Sequence, residues 1–102
     1  MSTGAEAIAD ERRRQIEVEG FTAEHDDQYL KGELARSANA LLRWGRFPQW
    51  RAEPPGDWWL PAAFWKPRDR RANLVRAGAM IAAEIDRLDR LAAREERGDS
   101  AA

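Results

Sequence analysis

A chain of 102 residues with a formal net charge of −1 at pH 7 fits a single domain, and its interleaved acids and bases argue against a nucleic-acid-binding protein, which is usually strongly basic. It has no cysteine and one histidine, His25, which excludes disulfides, thiolate zinc sites and a multi-histidine metal site within one subunit. Its uncharged runs are too short to span a membrane, and Met1–Asp10 lacks the basic start and apolar stretch of a signal peptide, so a cytoplasmic protein is expected.

In chain order, Thr3 and Glu6 have the spacing of a capping box, which predicts a first helix with Ile8, Ala9 and Ile16 as a thin apolar stripe. Arg12, Arg13 and Arg14 lie in its middle, pointing in three directions. Gly20 is a stop signal. A polar connector with one aromatic, Phe21, then reaches Asp26 and Asp27, either of which can cap a second helix. There Leu30, Leu34, Ala38, Leu41 and Leu42 recur at helical spacing, and Gly32 costs about 1 kcal/mol against alanine.

The stretch from Trp44 to Pro67 holds every proline and every tryptophan of the chain, with Phe47 and Phe64. Disordered segments are poor in aromatics, so this loop has to pack against something. Pro67 precedes a third helix in which Leu74, Ala77, Gly78, Ile81, Ile85, Leu88 and Ala92 follow a 3.6-residue period. That helix exceeds the width of so small a domain, so it either overhangs into solvent or meets a second subunit. The prediction is therefore an all-α domain with three main helices over residues 5–18, 27–43 and 68–97, a Trp/Pro-rich loop over 44–67, and frayed ends.

Three constellations can carry binding. In the turn around Phe21, His25, Asp26 and Asp27, the carboxylates can accept from ribose hydroxyls or a base amino group; the same residues also suit a plain helix connector. Trp65, Lys66, Arg70 and Arg71, in a basic string that continues to Arg76, open the last helix, where free N–H groups, the helix dipole and bidentate guanidinium groups favour phosphate. Trp65, with Trp58 or Trp59, can stack on a base. These rings equally suit core packing or a protein interface. Catalysis finds little support: no nucleophile stands in an activating context, and Glu24 with Asp27 and Asp86 with Asp89 are the only acidic pairs at helical spacing worth considering for Mg²⁺. No catalytic residue, metal or cofactor is assigned.

The strings Glu11–Ile16, Glu19–Thr22 and Glu24–Asp27, followed by Trp65–Pro67, Asp69–Arg71, Leu74–Ala79 and Ala83–Leu88, resemble a family of small phage and prophage proteins. More distantly, Gly20-Phe21, Asp26-Asp27 and Asp69-Arg70 resemble the RyR repeat, although Phe21 stands where that module more typically has tryptophan and the middle loop departs from it. The resemblance implies a nucleotide-derived ligand, such as an ADP-ribose-type or cyclic nucleotide signal of host antiphage defence. The chain would sequester it without chemistry in the host cytoplasm. His25, Asp26, Asp27, Trp65, Lys66, Arg70 and Arg71 would then converge on one pocket. Two rival readings are an inhibitor docking on a host or defence protein through an exposed tryptophan patch, and a Mg²⁺-dependent nucleotide hydrolase, which needs three converging carboxylates. A homo-oligomer through the last helix is a further expectation.

Overall fold

The computed structural model describes residues 2–98, and the fold is all-α. Its helices are α1 (Gly4–Glu17), α2 (Ala23–Asp26), α3 (Glu33–Trp44) and α4 (Arg70–Glu96), with short 3-10 turns at Pro48–Trp50 and Ala62–Phe64 between the last two. The frayed ends expected at Met1 and beyond Gly98 lie outside the described residues. Among those described, no helix is long and apolar enough to cross a membrane.

The capping box starts α1 as its spacing predicts: Thr3 Oγ1 accepts from the Glu6 amide at 3.2 Å, and Glu6 Oε1 accepts from the Thr3 amide at 2.9 Å. Each satisfies a donor that the first turn leaves free. After α1 the Phe21 amide donates back to the Gln15 carbonyl at 2.9 Å, which folds the chain over and drops Phe21 into the core.

The second predicted helix, over 27–43, is corrected by the structure. Residues 27–32, after the short α2, form a turn, and only the part from Glu33 onward is helical. Gly32 has φ +77°, a left-handed conformation that ends one segment and admits the next, and α3 begins only at Glu33. Asp27 does not cap this helix, because its carboxylate is taken by Arg90 and Arg94 of α4. Leu30, expected on the apolar stripe, lies in the turn and is exposed, and Tyr29 enters the core instead.

Leu34, Ser37, Ala38, Ala40 and Leu41 form the buried side of α3. They meet Ala77, Met80 and Ala83 of α4, where small side chains let the two helices approach closely. The loop between them closes the core. Trp58 and Trp65 are buried and pack edge to face, ring centroids 5.0 Å apart. Their indole N–H groups are satisfied by the carbonyls of Pro61 and Trp50. The Trp59 amide donates to the buried Ser37 hydroxyl at 2.9 Å, tying the loop to α3.

Asp69 caps α4 by accepting from the Ala72 amide at 2.8 Å. Helix α4 spans 27 residues, about 40 Å, in a molecule measuring 47 × 34 × 21 Å. Of the residues the apolar period marks, Ala77 lies on the inward face, but the large ones do not. Asn73, Arg76, Ala77, Ala79, Met80, Ala83 and Arg87 are buried, whereas Leu74, Ile81, Ile85 and Leu88 remain 43–52% exposed.

Candidate functional site

Where α1, the turn after it and the start of α4 meet, the surface opens into a cleft of about 310 Å³. This is at the small end of the range for ligand sites. Helix α1 contributes Glu11 and Arg14, and the following turn contributes Glu19. The strand of chain leading into α4 adds Lys66 and Arg68, and the first turns of α4 add Arg71, Ala72, Val75 and Arg76. Five bases thus face two acids.

The two acids are already engaged. Arg14 forks onto Glu11, with Nε to Oε1 at 2.7 Å, and reaches Glu19 at 3.2 Å. Lys66 Nζ is 3.1 Å from the other Glu19 oxygen. Gln15, fully buried, donates to Glu11 at 3.0 Å. Burial works to raise the Glu11 pKa. Hydrogen bonds from Arg14 and Gln15, with the charges of Arg14 and Arg76, outweigh it and hold the carboxyl below its ordinary value. Glu11 is thereby kept ionised and committed.

Arg76 forms the floor. Its Nη1 donates to the Lys66 carbonyl at 2.6 Å and its Nη2 to the Phe64 carbonyl at 3.3 Å, so the buried guanidinium pins the loop to α4. Its Nε is buried with no hydrogen-bond partner and stands 3.8 Å from Glu11. Burial lowers the Arg76 pKa, opposed by Glu19 and Glu11.

At the rim, the Arg68 guanidinium has no hydrogen bond or ion pair with any described residue, and Arg71 makes only a 3.5 Å contact to the Ser2 carbonyl. Arg68 is positioned through its backbone. The buried Asn73 side chain accepts from the Arg68 amide at 2.7 Å and donates to its carbonyl at 2.9 Å.

Of the residues expected to form one site, only Lys66 and Arg71 line this cleft. Arg70 lies outside it, donating to the Leu42 carbonyl at 3.3 Å. The turn around Asp27 is remote: Arg90, which Asp27 holds, is 19 residues along α4 from Arg71, about 28 Å. The expected convergence of His25, Asp26, Asp27, Trp65, Lys66, Arg70 and Arg71 is therefore not the arrangement found. The stacking role expected of Trp58 and Trp65 is taken by the core, since both rings are buried. Trp59 is exposed, but Arg36 lies over its ring at 4.1 Å. No contiguous tryptophan patch faces solvent, because Trp44 and Trp50 are half-buried against the core.

Phe21, His25 and Asp26 belong to a second, internal network. Asp26 is fully buried, with His25 Nδ1 at 3.1 Å and Arg12 Nη2 at 3.5 Å. Tyr29 Oη is 3.3 Å from His25 Nε2, and Phe21 stacks on the His25 ring at 5.1 Å. Arg12 also donates to the Phe21 carbonyl at 3.2 Å. Burial raises the Asp26 pKa, and the His25 hydrogen bond and Arg12 oppose it. This network ties α1 to α2. Among the described residues, no three His, Cys, Asp or Glu side chains stand where they could hold a metal ion. Asp27 is held by Arg90 and Arg94, and Asp86 lies 4.0 Å from Arg12.

Reading the sequence placed Arg68 and Arg76 in the basic string but missed Glu11, Arg14 and Glu19 as the side chains that share their cleft. One signal was present: Asn73, Arg76 and Arg87 fall on the same helical face as Met80 and Ala83, and polar groups on a buried face need partners.

No protein-family model, no curated protein and no solved structure matches this chain.

Proposed function

We propose that this protein is a binding module for a small phosphate-bearing anion, held in the cleft without chemistry. The observation that carries this reading is the charge balance inside the cleft. Arg14, Lys66 and Arg76 already neutralise Glu11 and Glu19, and Arg68 and Arg71 are left at the rim without an acid. Two unneutralised guanidinium groups beside the N-terminal turns of α4 suit phosphate oxygens, which take paired N–H donors and gain from the helix dipole.

A nucleotide-derived signal of the ADP-ribose or cyclic-nucleotide type is the member of this class that the sequence resemblance implies, with sequestration from host defence as the outcome. In this cleft its phosphates would lie on Arg68 and Arg71, and Ala72 and Val75 would supply the apolar contact in place of a tryptophan ring.

The test is a thermal-shift series with inorganic phosphate, pyrophosphate, ADP-ribose and cyclic dinucleotides, followed by chromatography of the recovered ligand. A ligand at 100 times its Kd adds about 2.7 kcal/mol of stability. The proposal expects a clear shift for at least one phosphate compound, abolished in Arg68→Ala/Arg71→Ala, with the ligand recovered intact. No shift with any of them, or a ligand recovered cleaved, overturns it.

A further inference from the structure

Helix α4 turns a row of large apolar side chains away from its own domain. Leu74, Ile81, Ile85 and Leu88 are each close to half exposed, on the side opposite Met80 and Ala83. With Gly78 and Ala92 they recur at alternating steps of four and three residues, the spacing of a coiled-coil seam. A helix in a one-domain monomer uses such a seam for its core. Here the core uses a different face.

We infer that this seam binds a second copy of the chain, with the two α4 helices antiparallel. Side-chain size and charge both select this partner and this orientation. Antiparallel pairing about the midpoint between Ile81 and Ile85 sets those two residues against each other. It places Leu74 of one copy over Ala92 of the other, so that a large side chain meets a small one, and brings Leu88 to the Gly78 position. Ile8 of α1 reaches α4 at Gly78, where an added Cβ would come within 2.7 Å of it, and gives Leu88 of the other copy an apolar seat. Extending the same register outward sets Arg70 against Glu96, both exposed and both outside the cleft. Both ends of the contact then carry opposite charges. A parallel pair would stack Leu74 on Leu74 and Ala92 on Ala92, and would set arginine on arginine and glutamate on glutamate. The seam from Leu74 to Ala92 is about 27 Å long, which is short for an obligate dimer and fits reversible association.

Sedimentation velocity across a concentration series tests the association. The wild-type chain is expected to pass from monomer to dimer, and Ile85→Glu, at an exposed position, is expected to stay monomeric with an unchanged helical circular-dichroism spectrum. Glu96→Arg and Arg70→Glu, both outside the cleft, should each self-associate several-fold more weakly and pair with one another when mixed. Because the chain has no cysteine, Asp89→Cys can carry one spin label per copy. Antiparallel helices set the two labels about 18 Å apart along the axis, whereas parallel helices bring them side by side. A wild type that stays monomeric at every concentration, an Ile85→Glu variant that dimerises as well as wild type, or labels side by side would overturn the inference.

Discussion

Replacing Gly45 by alanine isolates one physical effect. Gly45 sits at the end of α3 with ordinary helical angles, φ −62° and ψ −21°, so alanine meets no backbone penalty there. Space decides the outcome. A Cβ at this position would lie 2.5 Å from the Leu41 carbonyl oxygen and 2.8 Å from Asn73 Nδ2. Neither atom is the loose end of a flexible side chain. The carbonyl is helix backbone, and the Asn73 amide is fixed by its two hydrogen bonds to the backbone of Arg68. Overpacking of this kind costs about 1–3 kcal/mol. At about 2 kcal/mol the melting temperature of a domain this size falls by roughly 8–16 °C. Gly4→Ala is the control. It lies in α1 with nothing within 4 Å, and there the same change should stabilise by up to about 1 kcal/mol through helix propensity alone. Differential scanning calorimetry of both variants checks the pair. A Gly45→Ala protein that melts at or above the wild-type temperature would refute the packing described between α3 and the start of α4.

Three further outcomes follow from the geometry. Gly32→Ala has open space but a left-handed backbone, so it should cost about 1–2 kcal/mol by chemical denaturation; no loss would remove the reason given for the break before α3. Trp65→Ala should cost about 3–5 kcal/mol, a large share of the stability of such a domain, measured by urea titration; a loss under about 1 kcal/mol would mean that the ring is not core. The hydrogen bonds from Arg90, with Arg94 assisting, hold Asp27 below its ordinary pKa of 3.8. Its stabilising contribution is therefore complete above that value and lost as pH falls through the lower, folded one. Asp27→Asn should destabilise at neutral pH by about 1–3 kcal/mol and flatten the acid limb of the stability profile; a parallel limb would contradict the pairing.

Local signals made the helix ends legible. Thr3 and Glu6 marked the start of α1, and the break before α4 was visible in Pro67. The period of Leu74, Ile81, Ile85 and Leu88 identified α4 as a helix. It could not say whether the apolar face looks toward its own domain, because the alternative face of Ala79, Met80 and Ala83 is too poor in large side chains to register as a stripe. The second helix was misread because Leu30, Leu34 and Ala38 keep helical spacing through Gly32, and only the backbone reveals the left-handed turn there. The candidate site was half legible. Lys66 and Arg71 were visible as part of a basic string, but their neighbours Glu11, Arg14 and Glu19 lie more than forty residues earlier, and only the tertiary fold brings them together. The tryptophans had two physically sound destinations, ligand face or core. Trp58 and Trp65 went to the core because thin-striped helices leave a small domain short of apolar volume to bury.

The claim that the cleft is an anion site is tested most directly by calorimetric titration of pyrophosphate at low ionic strength into the wild type, Arg68→Ala/Arg71→Ala and Arg70→Ala. The account predicts saturable binding to the wild type, at least a tenfold loss in the double variant, and little change in Arg70→Ala, whose side chain lies outside the cleft. No saturable binding to the wild type, or an equal loss in Arg70→Ala, would contradict it.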